Sequence, residues 1–254
     1  PTHIKLNTIG SNKWQNAGYW IRYEFDVEKE GLYQIAVRFK QSELNGIYVS
    51  RRLRVDGKVP FEEANALRFD YSTDWQSKAL GDDDGGGIGY QFYFTPGTHT
   101  IELEVSLGEL GTIVGQVSET LDVINNAYLH ILKLTGTNPD KYRDYGFSRV
   151  MPDTIRSLVR EGNNLERVIE QLKSMNGVTG SNTASLLQIQ RLVEKMGSDE
   201  DEIAKNLSLL KSNIGTLGTW INTVTKQPLE IDTIYIQPAS APLPKAEAGF
   251  FQSL

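Results

Sequence analysis

The chain has no cysteine among its 254 residues. That excludes disulfides, thiolate metal sites and cysteine nucleophiles, and it fits the cytosol or the outside of a bacterium equally well. Histidine is nearly as scarce: His3, His99 and His130 lie in three unrelated contexts. No H-E-x-x-H, G-x-S-x-G or phosphate-loop pattern is present. Carboxylates are plentiful, yet no pair is marked out by its surroundings, so the chain is not read as an enzyme. Glycosidase carboxylates carry no short motif, and an enzyme would need two of them flanking a cleft. Positive charge is in deficit, 26 Lys and Arg against 32 Asp and Glu, net −6, which argues against a nucleic-acid partner. No eighteen apolar residues run together, so no segment reads as membrane-spanning. The chain begins at Pro1 without a methionine or a leader. It reads as a piece of something longer, and the missing leader says nothing about export.

What is present changes period partway along. Gly18–Val27 alternates Tyr19, Ile21, Tyr23, Phe25 and Val27 against Trp20, Arg22, Glu24 and Asp26, the period-two pattern of a strand with one apolar face. Leu32–Lys40 and Ile47–Val55 follow, the latter ending in the tight-turn pair Asp56-Gly57. Leu67–Tyr71 and Tyr90–Phe94 are shorter candidates, and His99–Leu107 alternates again. Short strands separated by turn residues predict an antiparallel β-sandwich.

After Gly108 the spacing becomes helical. Leu110, Val114, Val117, Leu121, Ile124, Tyr128 and Ile131 share one stripe, with Gly136 as a stop. Pro152 and Asp153 open a second helix that Gly177 ends. A third runs from about Ser181 to Met196 and is closed by Gly197; Ser198 then caps a fourth, with Asp201 at the capping-box position. Four amphipathic helices on short turns make an antiparallel bundle. Leu229–Gln237 (LEIDTIYIQ) is β-branched and aromatic, a strand. A lone strand cannot satisfy its own backbone, so it must pair with the sheet before residue 108. The organisation expected is therefore a sandwich from 1–108 plus 228–238, a helical bundle inserted at 109–227, and a Pro- and Ala-rich exit linker at 239–254.

Trp14 and Trp75 sit in polar, turn-like sequence (SNKWQN, STDWQSK). An exposed indole beside amides and carboxylates suits the flat C–H face of a sugar ring; alternatively each ring caps an end of the core. The binding candidates are Trp14, Asn16, Asp74, Trp75 and Gln76. Trp20 and Trp220 are assigned to packing. Asp82-Asp83-Asp84-Gly85-Gly86-Gly87 offers oxygens to calcium but lacks EF-hand spacing, and reads as a solvated hairpin tip. Arg51 is placed opposite in face to Arg52 and Arg54, one or two of which are expected to pair with Glu24 or Asp26. Tyr142, Arg143, Asp144 and Tyr145 either dock the bundle or face a partner.

Asn16–Val27 followed by Gly31–Phe39, Arg54-Val55-Asp56-Gly57, Pro96–Leu103 and Ile231–Ile236 together resemble the conserved pieces of carbohydrate-binding modules. The resemblance implies the jelly-roll, galactose-binding-like sandwich of those modules. With the insert and its Asn138–Tyr145 loop, the whole chain resembles an accessory region of the large extracellular solute-binding proteins of sugar-type ABC transporters in Gram-positive bacteria. What this implies is a non-catalytic module of a cell-surface lipoprotein. Its partners would be an oligo- or polysaccharide and the parent's other domains. The alternative is a structural or protein-interaction module without sugar binding. Such modules open with an acidic strand that contributes a structural calcium site. Here only Pro1–Lys13 precedes Trp14, which leaves that strand and its metal open; no other cofactor is expected.

Overall fold

The computed structural model describes residues 2–83, 85–86, 88–176 and 180–246. They form two compact units, Pro1–Glu109 with Thr225–Leu254, and Leu110–Val224.

The first unit is two antiparallel sheets. In chain order its strands are β1 (Thr2–Gly10), β2 (Trp20–Val27), β3 (Gly31–Gln41), β4 (Val49–Val55), β5 (Leu67–Phe69), β6 (Ser72–Ala79), β7 (Gln91–Phe94), β8 (Gly97–Ser106) and β9 (Glu230–Pro238). One sheet has the order β1-β9-β3-β6, with β7 sharing the β6 side of β3; the other is β2-β8-β4-β5. The strand that follows the helices thus lies between β1 and β3, Ile234 opposite both Ile4 and Val37. The helical region is an insertion into a sandwich.

Alternation fills the space between the sheets. Phe25, Leu53, Ile101, Leu103 and Val105 from one inner face and Ile35, Val37, Phe39, Ile231, Ile234 and Ile236 from the other are buried. Phe25 meets Phe94 edge-on at 5.3 Å between centroids and Phe39 meets Phe69 at 5.0 Å, each pair crossing from sheet to sheet.

Two strands were not legible. β1 occupies the stretch before Trp14, and its pairing with β9 shifts register between Lys5 and Ile9. Its apolar residues change phase in step, Ile4 and Leu6 on even positions and then Ile9 on an odd one, which hides the alternation. β6 contains Asp74, Trp75 and Gln76, so these are strand residues and not a turn. The arginines of β4 also differ from expectation. Arg52 and Arg54 reach Glu104 on β8 (3.3 and 2.5 Å), not Glu24 or Asp26, because β8 lies between β2 and β4.

Residues 239–246 turn back along the first sheet. Gln34 Nε2 donates to Ala241 O (2.6 Å), Arg38 Nε to Ala246 O (2.6 Å) and Gln237 Nε2 to Pro242 O (3.0 Å). This part of the expected linker is held to the sheet; 247–254 lie outside the described residues.

The second unit holds α1 (Leu110–Thr135), the single-turn α2 (Phe147–Val150), α3 (Pro152–Asn176), α4 (Ser181–Ser198) and α5 (Asp201–Thr225). Gly136 closes α1 through its N–H to Leu132 O (2.8 Å). Gly177 lies outside the described residues. Gly197 does not end a helix: it stays within α4 because α3 packs on it, where a Cβ would stand 2.8 Å from Val159 Cγ2. The cap of α5 is accordingly later than Ser198; the Asp199 carboxylate accepts from Asp201 N (3.0 Å). The 140–146 loop is held within this unit, Tyr145 stacking on Phe147 at 5.3 Å between centroids and its hydroxyl accepting from Asp140 N (2.9 Å). No described helix is long and apolar enough to cross a membrane.

Candidate functional site

The expected indole at Trp14 is not a free surface. It is 3 % exposed, on the residue that closes the short 3-10 turn Ser11–Lys13 after β1. Its position follows from the returning chain: Ser11 N donates to Leu229 O (3.2 Å), and Gly10 allows this approach, since a Cβ there would lie 1.9 Å from the same oxygen.

Above the Trp14 ring lies the guanidinium of Arg51, 4.1 Å from the centroid. Arg51 points inward from β4 with Val49 and Leu53 and has no exposed surface. No carboxylate among the described residues pairs with it. It donates to three carbonyls instead, Ser50 O (2.8 Å), Trp14 O (3.1 Å) and Gln227 O (2.7 Å), leaving Nε without a partner among the described residues. Burial pulls its pKa down to about 9, which still leaves it charged at neutral pH. Gln227 completes the knot through N to Gln15 O and Oε1 from Ser50 N, both 2.8 Å. Trp14 therefore takes its other reading, a cap on the end of the core.

That cap positions a different pair of rings. Trp14 Nε1 donates to Tyr19 O (3.2 Å), while Gly18 N and Tyr19 O bond to Val105 (3.0 and 2.8 Å). The entry to β2 is thereby fixed on both sides. Tyr19 and Trp20, 54 % and 57 % exposed, stand on it. With Ile9, Lys13, Trp14, Gly18 and Ile21 they line an open concavity of about 350 Å³. Trp20 lies opposite Glu104 on the outer face of its sheet. That carboxylate is occupied by Arg52 and Arg54, and its neighbour Glu102 lies 3.7 Å from Arg22. Neither is a free acid beside the rings. The assignment of Trp20 to packing is thus corrected, whereas Trp220 is buried in the bundle and donates to Asn182 O (3.0 Å).

The other sequence candidates are not gathered here. Asn16 is exposed and accepts Tyr19 N at its backbone oxygen (3.0 Å), forming the turn before β2. Trp75 is half-buried on β6, its ring under Arg38 (4.6 Å) and within 5.5 Å of Lys40 Nζ. Asp74 is exposed beside it, and Gln76 is paired opposite Phe39. None of these four lines the concavity. The sequence did carry the missing signal: in the alternation of β2, Trp20 falls in phase with Arg22, Glu24 and Asp26, on the solvent face.

No group of three or more metal-ligating side chains is gathered among the described residues. In the acidic glycine-rich segment Asp84 and Gly87 lie outside those residues, and Asp83 pairs with Lys78 (2.7 Å).

Residues 112–224 match the family described as bacterial solute-binding protein, 4-helix bundle domain. The match falls on the insert, one part of the whole-chain resemblance to solute-binding proteins. No curated protein matches the chain. Among solved structures, a family 35 carbohydrate-binding module from Clostridium thermocellum is similar at 15 % identity and a TM-score of 0.30, covering 41 % of this chain and 80 % of that one. At that score the likeness fixes neither fold nor ligand. The fold rests on the strand order above, and the helical unit is similar to the four-helix domain of bacterial solute-binding proteins.

Proposed function

We propose that this chain is a non-catalytic carbohydrate-binding accessory region of an extracellular solute-binding protein serving a sugar ABC transporter, anchored as a lipoprotein on a Gram-positive surface. The observation that carries the binding reading is the exposed Tyr19–Trp20 pair on a rigid strand entry. A large apolar ring surface is removed from water against a sugar's C–H face, and the backbone that carries the rings is already tied through Tyr19 O to Trp14 Nε1 and Val105 N, which lowers the ordering cost of binding. The neighbouring carboxylates are neutralised by arginines, which supports binding over hydrolysis. The match over 112–224 supports the solute-binding parent. In this reading the transported sugar is held by another domain of that parent. The sandwich holds an oligo- or polysaccharide, through Tyr19 and Trp20 in place of Trp14 and Trp75.

Affinity electrophoresis and calorimetry on a panel of soluble plant and bacterial polysaccharides test this. Retention is expected on at least one, weakened roughly two- to tenfold by Trp20→Ala, because a stacked aromatic ring contributes about 0.5–1.5 kcal/mol beyond its area burial. Trp75→Ala is expected to leave it unchanged. If no polysaccharide retards the folded chain, or if Trp75→Ala and not Trp20→Ala abolishes retention, the platform is not the site and the structural or protein-interaction reading stands.

A further inference from the structure

The core seam of the bundle is interrupted by polar residues that open onto a groove. In α1 the buried positions Ile113, Val117, Thr120, Ile124, Ala127 and Ile131 step by fours and threes, the spacing of a packed helical seam. In α3 Thr154, Leu158, Glu161, Leu165, Val168 and Leu172 do the same. Thr120 and Glu161 therefore occupy core positions, 2 % and 3 % exposed. They meet across the helices, with Thr120 Oγ1 donating to Glu161 Oε2 at 2.8 Å. Asn164 Nδ2 donates to the same oxygen (2.8 Å) and Arg160 Nε to Oε1 (2.9 Å). Arg167 donates in turn to Asn164 Oδ1.

Burying a carboxylate costs several kcal/mol unless its partners repay it, and apolar residues fill such a position more cheaply. Here the network is the wall of a groove of about 450 Å³ between α1 and α3, lined also by Gln116, Glu119, Val123 and Gln171. That volume suits a small molecule.

The lining selects the chemistry. Its formal charges cancel, Glu119 and Glu161 against Arg160 and Arg167, so the groove carries no net charge to favour an ion of one sign. Carboxylate oxygens accept, guanidinium groups donate, and the carboxamides of Gln116, Asn164 and Gln171 do both. A ligand matches this set best when each of its polar atoms both donates and accepts, which is the property of a hydroxyl. Val123 and Val168 add apolar surface for its C–H groups. We propose that the groove binds a neutral polyhydroxylated molecule of mono- or disaccharide size, at a site independent of the Tyr19–Trp20 platform.

Saturation-transfer NMR and calorimetry on the whole chain test it, with glucose, galactose, xylose, maltose and lactose as probes and glycine and glutamate as charged controls. The measurements are made in wild type and in Trp20→Ala, so that failure of the platform and failure of the groove separate. At least one sugar is expected to bind saturably in both. Glu161→Gln is expected to weaken it roughly tenfold or more, because it replaces a charged acceptor with a neutral amide. Arg160→Ala, at the exposed rim, gives the same readout if Glu161→Gln fails to fold. Absence of saturable sugar binding in Trp20→Ala, preferential binding of glycine or glutamate, or wild-type affinity in both groove variants would each overturn the assignment.

Discussion

At the scale of single residues, the chain uses charge in places where its surroundings decide the outcome. His99 illustrates this on the edge of the sandwich. Its Nδ1 lies 2.8 Å from Asp56 Oδ2 and its Nε2 2.8 Å from Thr95 O. Two acceptors around one ring favour the doubly protonated form. Burial opposes that charge, but the Asp56 carboxylate and the Thr95 carbonyl outweigh it, so the pKa is raised from 6.5. Asp56 moves the other way: burial would raise it, but hydrogen bonds from His99 and from Thr100 N bring it below 3.8. The sign follows from linkage. The raised histidine stabilises the fold fully below about 6.5 and loses that contribution as pH rises through its folded pKa. The depressed aspartate contributes above about 3.8 and loses it as pH falls. Thermal melts between pH 5.5 and 8.5 should show wild type losing a few degrees relative to His99→Gln as pH rises, a modest effect because the pair is partly solvated. Parallel curves for the two proteins would refute the coupling. Little of this was legible: His99 looked like one of three unrelated histidines, and Arg51 like one of three clustered arginines. The alternation of β4 did put Arg51 on the opposite face from Arg52 and Arg54, yet nothing in sequence said that Trp14 and Gln227 would supply its acceptors, because those carbonyls come from segments more than thirty residues away.

At the scale of elements, periodic apolar residues were readable wherever packing repeats them. The stripes of α1, α3, α4 and α5 and the alternation of β2, β3 and β8 are direct records of which face is buried. Elements were lost where a neighbour overrides local preference. Gly197 carries a stop signal and yet remains helical against Val159; β6 has a polar, turn-like composition and is a strand because β3 offers it an edge. The Thr120–Glu161 contact is a third such case, since Glu161 reads as a solvent-facing residue until α1 is packed on it. Its energetics can be separated by mutation. Thr120→Val alone removes a donor from a buried carboxylate and should destabilise the bundle by about 1–3 kcal/mol. Thr120→Val combined with Glu161→Leu removes the need for the donor and should recover that loss or exceed it. Denaturant melts that found the double variant less stable than the single one would show that the polar network is itself the source of stability.

At the scale of the molecule, the decisive feature is the return of the chain after more than a hundred helical residues. β9 is an interior strand, bonded to β1 on one side and β3 on the other. Ile231, Ile234 and Ile236 are buried, and fully burying an aliphatic side chain contributes ~1.5–3 kcal/mol. Three of them, with two ladders of backbone bonds, approach the whole stability of an ordinary domain, ~5–15 kcal/mol. The inference from LEIDTIYIQ needed only the rule that an isolated strand cannot satisfy itself, which is why this long-range pairing was legible when shorter-range details were not. A chain ended at Pro228 keeps every described helix and eight of the nine described strands. An appended strand at the edge of a finished sheet would be dispensable, and such a truncation would melt like the intact protein. An insertion predicts the opposite: the sheet unit fails to fold while the bundle, whose stripes pack on one another, keeps its helical signal and a cooperative transition. Amide exchange on the truncated chain distinguishes the two, with protection expected in 110–224 and lost throughout 2–106. Protection persisting in β3 and β8 would show that the first hundred residues form a domain without the strand that returns to them.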